Sequence, residues 1–174
     1  AQQFEGAVGD LTDFVLLRLR FVEHGDSGDP HRAVESAGTQ AGVEVGARTF
    51  DRPVRVSGIS VLYESETQKD KVSEIANGTF ELLGMDQHLS PEDITVYDQY
   101  YGGVYGVPTE AGNDAIRLLA RTEGIITDPV YTGKALSGMI DLLQGGHCDG
   151  AEAILFFHTG GAPAIFAMAE HFQK

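Results

Sequence analysis

The amino-acid sequence predicts an α/β protein with a mostly parallel β-sheet and helices on both faces of it. Strand-like apolar stretches alternate with stretches of helical spacing, in the order β-α-β-α-β-α-α-β-α. The apolar stretch 154–157 contains no polar residue, which is typical of a parallel strand covered on both faces. Together these patterns predict a three-layer arrangement.

The first half of the chain has two predicted strands and two predicted helices before residue 85. The predicted elements are a buried strand at 13–17, an irregular polar segment at 18–34, a glycine turn at 36–42 that opens a helix, a strand at 54–61 and a helix at 65–83. Gly84 is expected to end the last of these helices, because glycine readily adopts the left-handed conformation found after many helices.

The second half adds further elements of both kinds. They are a strand at 94–97, a helix opened by Thr109 and Glu110, a brief extended piece at 125–126, a helix at 134–143, a buried strand at 154–157 and a last helix that follows Gly160 and Gly161 and runs through Ala167. Each predicted helix carries apolar residues three or four positions apart, which places them on one face.

Charge and composition exclude several classes of protein. The 174 residues carry a net charge of −14, which argues against nucleic acid as a partner because phosphate backbones would be repelled. The single cysteine excludes a disulfide framework. Six histidines show no metal-binding spacing, so no metal is predicted. No apolar run approaches the roughly 18 residues of a membrane span, and the expected location is cytoplasmic.

Three glycine-containing clusters follow strand-like or extended segments and precede helices. They lie at 36–42, 127–134 and 157–163, and ligands bind at the carboxyl ends of strands in open α/β sheets. The first cluster lacks a Walker or GxGxxG pattern. Its backbone N–H groups and the hydroxyls of Ser36 and Thr39 suit a phosphate, but an ordinary turn into a helix remains the alternative.

Single residues of the other clusters also allow two interpretations. Thr159 either turns its hydroxyl toward a ligand or caps the last helix. Tyr131 precedes a predicted helix and Tyr105 lies among glycines. Either tyrosine is a site residue or a half-buried packing residue.

Together, four blocks of the sequence resemble one family. Residues 36–42, 105–108, 123–134 and 158–163 occur in the order and spacing of the D-cysteine desulfhydrase and 1-aminocyclopropane-1-carboxylate (ACC) deaminase family. The resemblance is to the C-terminal half of these pyridoxal-phosphate enzymes, and it implies their tryptophan-synthase-β-like fold, fold type II. It divides the chain into an approach at 1–17, an irregular segment at 18–35 and a cofactor-binding domain at 36–174.

The resemblance assigns roles to individual residues. The phosphate of pyridoxal 5'-phosphate would be held by Ser36, Ala37, Gly38 and Thr39. Tyr105 and Tyr131 would flank a small amino-acid substrate and take part in proton handling or substrate orientation. Thr159 would form a hydrogen bond with the pyridine nitrogen of the cofactor. The resemblance also implies a homodimer for the full-length protein.

The same resemblance bears on the reaction. A threonine hydroxyl cannot keep the ring nitrogen protonated as a carboxylate does, and the weaker electron sink that results suffices when a β leaving group departs. The deaminase branch typically has glutamate at the position of Thr132. The chain therefore looks more like the branch that converts D-cysteine to pyruvate, ammonia and sulfide, with ACC deaminase as the alternative within the family.

The chain also departs from the family. The family's cofactor-linked lysine lies upstream of the resembling part, and none of the four lysines of this chain (Lys69, Lys71, Lys134 and Lys174) matches it. We therefore expect a fragment that is inactive by itself.

Other departures and rival functions remain to be weighed. Residues 18–35 look like an insertion or a local frameshift, with Glu35 where a glycine is expected. A non-catalytic α/β module that binds a phosphorylated small ligand or a partner subunit remains the alternative function. The missing GxGxxG pattern argues against a nicotinamide-dependent oxidoreductase.

Overall fold

The computed structural model describes residues 35–50, 54–151 and 153–173. The strand predicted at 13–17 and the irregular segment predicted at 18–34 lie outside these described residues. Within them the chain forms two compact units, an amino-terminal unit that ends at Tyr105 and a carboxy-terminal unit that begins at Gly106. Each unit is described by itself.

The amino-terminal unit contains two helices and a small parallel sheet. Its elements are α1 (Glu35–Thr49), β1 (Ser57–Ile59), α2 (Ser65–Leu82), a 3-10 turn (Pro91–Asp93) and β2 (Thr95–Tyr97). Strands β1 and β2 pair in parallel, with Gly58 opposite Val96. The predicted strands at 54–61 and 94–97 and their parallel arrangement are confirmed, although each strand has only three residues.

The core of this unit lies between α1 and α2, and each helix contributes a stripe of residues four positions apart. The buried stripes are Ala37, Ala41 and Val45 on α1, and Val72, Ala76 and Phe80 on α2. Leu89, Ile94 and Val96 complete the cluster. The spacing of four follows from the helical repeat, which places such residues on one face.

The prediction of a glycine turn at 36–42 is wrong. Helix α1 begins at Glu35 and runs through this segment without a break, and neither Gly38 nor Gly42 has a positive φ. The reason is the buried stripe that Ala37 and Ala41 begin. Burial of that face against α2 offsets the cost of about 1 kcal/mol for each glycine in a helix.

The predicted end of α2 at Gly84 is confirmed. Gly84 has a φ of +66°, its N–H donates to the carbonyl of Glu81, and the N–H of Met85 donates to the carbonyl of Phe80. This pair of bonds is a Schellman motif, which supplies donors to carbonyl groups that receive no hydrogen bond within the helix.

The carboxy-terminal unit is helical in its described part. Its elements are α3 (Glu110–Glu123), α4 (Thr132–Gln144), the short α5 (Ala164–Ala167) and a 3-10 turn (Ala169–His171). Thr109 caps α3, as predicted, because its hydroxyl accepts a hydrogen bond from the N–H of Gly112 at 3.1 Å. Its core cluster consists of Ala115, Leu136 and Phe156.

The prediction of a strand at 154–157 is wrong. No strand forms there, Leu155 is 42% exposed, and Phe156 is the buried residue of the stretch. A strand exists only when a neighbouring strand takes its N–H and C=O groups, and no described segment of this unit pairs with it.

Among all described residues, no helix is both long and apolar enough to cross a bilayer.

Candidate functional site

The candidate phosphate residues lie at the start of α1. Ser36, Ala37 and Gly38 belong to its first turn, where backbone N–H groups have no acceptor within the helix and the helix dipole favours an anion. Ala37 is fully buried. A Cβ atom placed on Gly38 would meet no atom of the described residues within 4 Å.

Gln40 fixes the start of α1 against the sheet. Its side-chain amide donates to the carbonyl oxygen of Thr95 on β2 at 3.0 Å. The same side chain lies so close to Gly58 that a Cβ there would collide with its Oε1 atom. The helix start that carries Thr39 is therefore held at a defined place beside the strands.

Tyr105, the other candidate of the amino-terminal unit, is 49% exposed. It follows Gly102 and Gly103, which both have a φ of +79°, and this left-handed conformation turns the chain where few other residues would. The phosphate candidates and Tyr105 belong to one unit, whereas Tyr131 and Thr159 belong to the other.

In the carboxy-terminal unit, the segment before α4 is organised around the carboxylate of Asp128. This residue is fully buried. Its Oδ2 atom accepts hydrogen bonds from the N–H groups of Val130 and Tyr131, both at 2.8 Å. Its Oδ1 atom accepts from the N–H of Thr132 at 2.8 Å and from the Thr132 hydroxyl at 2.6 Å. Four donors therefore surround one carboxylate, and Tyr131 directly precedes the first residue of α4.

The backbone of Asp128 completes the turn. Its carbonyl oxygen accepts from the N–H of Gly133 at 2.7 Å, and its N–H donates to the Thr132 hydroxyl at 2.9 Å. These backbone bonds add to those of the carboxylate, which are stronger than bonds between neutral groups because the acceptor is ionised. The start of α4, where helical N–H groups lack partners, is thus satisfied by Asp128.

The Thr159 segment lies against the same carboxylate. Gly161 has a φ of +84°, and a Cβ on it would fall 2.8 Å from the Cγ atom of Asp128. The ring of His158 forms a hydrogen bond with the carbonyl oxygen of Ile126, its Nε2 atom lying 3.1 Å from it. The two most specific sequence blocks, 123–134 and 158–163, are therefore in contact.

Thr159 is exposed, and its hydroxyl forms no hydrogen bond with the described residues. The interpretation of Thr159 as a helix cap is wrong, because α5 begins at Ala164 and the residue before it is Pro163. Tyr131 is 42% exposed. Both side chains thus reach the surface of their unit, next to elements that Asp128 holds in place.

Two further buried polar residues flank this arrangement. Lys134 is fully buried. Burial lowers the pKa of its amine, and the negative charge of Asp128 opposes that shift in part. The hydroxyl of Thr127 is buried without a hydrogen-bond partner among the described residues, which is rare for a buried polar atom.

Sequence reasoning missed the part played by Asp128. The Asp-Pro pair predicts a turn, and donors two to four residues later are typical of an aspartate that binds its own backbone. The burial of the carboxylate and its contact with Gly161, 33 residues later, have no local signature.

In the described part of the chain, no three histidine, cysteine, aspartate or glutamate side chains are grouped so as to hold a metal ion.

With this geometry established, comparison with known proteins decides the family. The family described as "Pyridoxal-phosphate dependent enzyme" matches residues 31–160, which include the start of α1, the Asp128 turn and Thr159. The chain belongs to the pyridoxal-phosphate dependent enzyme family. The four sequence blocks predict a resemblance to such enzymes, and this prediction is confirmed.

Individual relatives come from both branches named above. The chain is 46% identical over 133 residues to a D-cysteine desulfhydrase of Yersinia pestis (strain Pestoides F). It is 43% identical over 136 residues to a 1-aminocyclopropane-1-carboxylate deaminase of Rhizobium rhizogenes. These matches cover 76% and 78% of this chain but 39% and 40% of the two relatives. The chain therefore spans about two fifths of their length.

A solved structure supports the same fold. A crystal structure of an ACC deaminase homologue matches this chain with a TM-score of 0.69 and 38% sequence identity, over 78% of this chain and 40% of the homologue. The fold of a pyridoxal-phosphate enzyme, expected from the resemblance, is thus confirmed for the part of the homologue that this chain matches.

Proposed function

We propose that this chain is the cofactor-cradling part of a pyridoxal-phosphate lyase acting on a small D-amino acid. The proposed reaction is the β-elimination of D-cysteine to pyruvate, ammonia and sulfide. Family membership supports the cofactor. The surroundings of Thr132 are the observation that favours this reaction over the deamination of ACC.

Each unit, taken by itself, has groups that suit one part of pyridoxal phosphate. The first described turn of α1 would supply backbone N–H groups, and a Cβ on Gly38 would meet no atom of the described residues within 4 Å, which suits the phosphate group. Thr159 offers an exposed hydroxyl that is not used within the described residues. Ser36, Ala37, Gly38 and Thr39 would hold the phosphate, and Thr159 would bind the pyridine nitrogen.

When bound, the cofactor supplies an electron sink for negative charge that develops on the substrate. The Thr159 hydroxyl would donate a hydrogen bond to the ring nitrogen without transferring its proton, because a hydroxyl is a far weaker acid than a carboxyl group. Tyr131 and Tyr105 would orient the substrate and carry protons at their phenol oxygens. This combination suits a substrate whose β substituent leaves readily.

The surroundings of Thr132 favour desulfhydration over ACC deamination. Thr132 is 3% exposed, and its hydroxyl both donates to and accepts from Asp128. A glutamate, typical of the deaminase branch here, would place a second carboxylate beside Asp128 in a site closed to water. Such a pair of like charges is costly, so the turn suits threonine.

We further propose that the working enzyme is larger than this chain. Its cofactor-linked lysine would come from outside the sequence, because Lys134 is held in the buried interior beside the Asp128 turn and the family position differs. In that enzyme β1 and β2 would join a larger, mostly parallel sheet with helices on both faces, and two copies would form a homodimer. The chain alone would show no turnover.

A chimeric enzyme tests this function. The segment of the Yersinia pestis D-cysteine desulfhydrase that matches this chain is replaced by the corresponding residues of this chain, and sulfide release from D-cysteine is compared with ammonia release from ACC. We expect sulfide release from the chimera and none from the 174-residue chain. Ammonia from ACC without sulfide from D-cysteine would favour the deaminase. A folded chimera that binds no pyridoxal phosphate would favour a non-catalytic module.

A further inference from the structure

We propose that Asp128 is a positioning residue that fixes Tyr131 and the Thr159 turn relative to each other. The inference rests on the proposed function, because it takes Tyr131 and Thr159 as site residues. Asp128 itself is fully buried and would touch neither cofactor nor substrate. It would act through the two segments that its carboxylate contacts.

The link to Tyr131 consists of hydrogen bonds. The Tyr131 N–H donates to Oδ2 at 2.8 Å, and the N–H groups of Val130 and Thr132 donate at the same distance. Three consecutive backbone groups therefore converge on one side chain. Because these bonds are charge-assisted and directional, they fix the backbone from which the Tyr131 ring projects.

The link to the Thr159 turn is close packing. Gly161 approaches the carboxylate so nearly that a Cβ would lie 2.8 Å from both Cγ and Oδ1 of Asp128. Thr159 stands two residues before Gly161, and His158 is tied to the carbonyl of Ile126. A displacement of the carboxylate would therefore shift the Thr159 turn as well as Tyr131.

The charge of Asp128 matters as much as its shape. Both carboxylate oxygens accept two hydrogen bonds each. An asparagine has one acceptor oxygen, and its NH2 group would face N–H donors on the other side. Asp128→Asn therefore preserves the size of the side chain but breaks half of the network, which makes it the informative substitution.

The first measurement is amide hydrogen exchange in the 15N-labelled 174-residue chain. In Asp128→Asn we expect exchange to accelerate by about tenfold or more at the amides that lose their acceptor, either Val130 and Tyr131 or Thr132, as for the loss of a hydrogen bond. We expect the resonances of 159–161 to shift as well. Asp114→Asn, on the exposed face of α3, is the control and should change neither. Faster exchange at any of these amides with unchanged resonances at 159–161 would overturn the proposal.

A second variant approaches the link from the other side and serves if Asp128→Asn unfolds. Gly161→Ala keeps every donor of the network but presses a methyl group against Asp128. We expect the amide resonances of Tyr131 and Thr132 to move. Gly150→Ala is the control, because its φ of +80° is similar but its Cβ would meet no atom of the described residues within 4 Å. Unmoved Tyr131 and Thr132 resonances in Gly161→Ala would contradict the link.

The third measurement concerns the cofactor and uses the dissociation constant of pyridoxal phosphate. If Asp128 acts through Thr159, the double variant Asp128→Asn with Thr159→Val binds no more than about twofold more weakly than the weaker single variant. If the increase in the dissociation constant of the double variant equals the product of the increases in the two single variants, the proposal is overturned. A wild-type chain that binds no pyridoxal phosphate would instead count against the proposed function, and the exchange measurements would still decide the role of Asp128.

Discussion

The Thr132 hydroxyl forms two hydrogen bonds with Asp128 in the interior of the carboxy-terminal unit. The Thr132 hydroxyl donates to the Asp128 carboxylate at 2.6 Å and accepts from the Asp128 N–H at 2.9 Å. Asp128 is fully buried and Thr132 is 3% exposed, so water cannot replace either bond. This reciprocal pair closes the turn that carries Tyr131.

Substitution of Thr132 by valine tests the value of this pair. Valine keeps the shape of threonine but removes one donor and one acceptor, which leaves buried groups of Asp128 with fewer partners. We expect the free energy of unfolding to fall by about 1–3 kcal/mol, measured by urea denaturation. Thr132→Ser keeps the hydroxyl and should lose less. Equal losses in the two variants would mean that the methyl group, and not the hydroxyl, stabilises the turn.

Gly133 is predicted to tolerate no side chain. A Cβ there would lie 2.6 Å from the carbonyl oxygen of Asp128 and 2.7 Å from Cδ1 of Ile116. Gly133→Ala should therefore destabilise the carboxy-terminal unit by about 1–3 kcal/mol, as measured by thermal denaturation. Gly78→Ala is the matched control on the exposed face of α2, where a Cβ meets no atom of the described part of the chain within 4 Å, and it should stabilise by up to about 1 kcal/mol. A neutral Gly133→Ala would contradict the close packing of α3 against the Asp128 turn.

The helices of this chain are predictable because their signals are local. The apolar stripe of α2 is continuous in sequence, and the cap of α3 lies within four residues of Thr109. In α1 the same kind of stripe is present, but Gly38 and Gly42 favour turn chemistry when the sequence is considered alone. Burial against α2 decides the outcome there, and burial depends on a partner that is distant in sequence.

The remaining differences also have long-range causes. Residues 154–157 have the composition of a strand, but a strand requires a partner, and no described segment supplies one. The Asp-Pro turn is predictable at Asp128, whereas its contact with Gly161 depends on the tertiary fold. Sequence patterns thus predict which segments belong to the site, but not the carboxylate that joins two of them.

Thr159 should affect cofactor binding and leave stability unchanged. It is exposed and forms no hydrogen bond with the described residues, so Thr159→Val removes nothing that supports the fold. We expect pyridoxal phosphate to bind about five- to tenfold more weakly, the effect of one hydrogen bond of about 1 kcal/mol. Thr159→Ser should retain the affinity. Equal affinity of the valine and serine variants, measured by equilibrium dialysis, would remove Thr159 from the cofactor site.

Lys134 should make stability depend on pH in the alkaline range. Burial lowers the pKa of its amine below the ordinary value of 10.5, although Asp128 opposes this shift. Between the lowered pKa and 10.5 the unfolded chain therefore binds a proton that the folded chain has released. When the unfolded state binds more protons, the free energy of unfolding rises with pH. We therefore expect the wild-type chain to gain stability through this window.

Lys134→Met isolates this contribution. Methionine has a similar length without a titrating group, so any packing that the substitution removes changes stability by an amount that does not vary with pH. The difference in free energy of unfolding, wild type minus variant, should rise through the alkaline window, measured by urea denaturation at a series of pH values. Every other ionisable group is present in both proteins, so its contribution cancels in this difference. A difference that stays constant with pH would show that the folded chain keeps the Lys134 amine charged in spite of its burial.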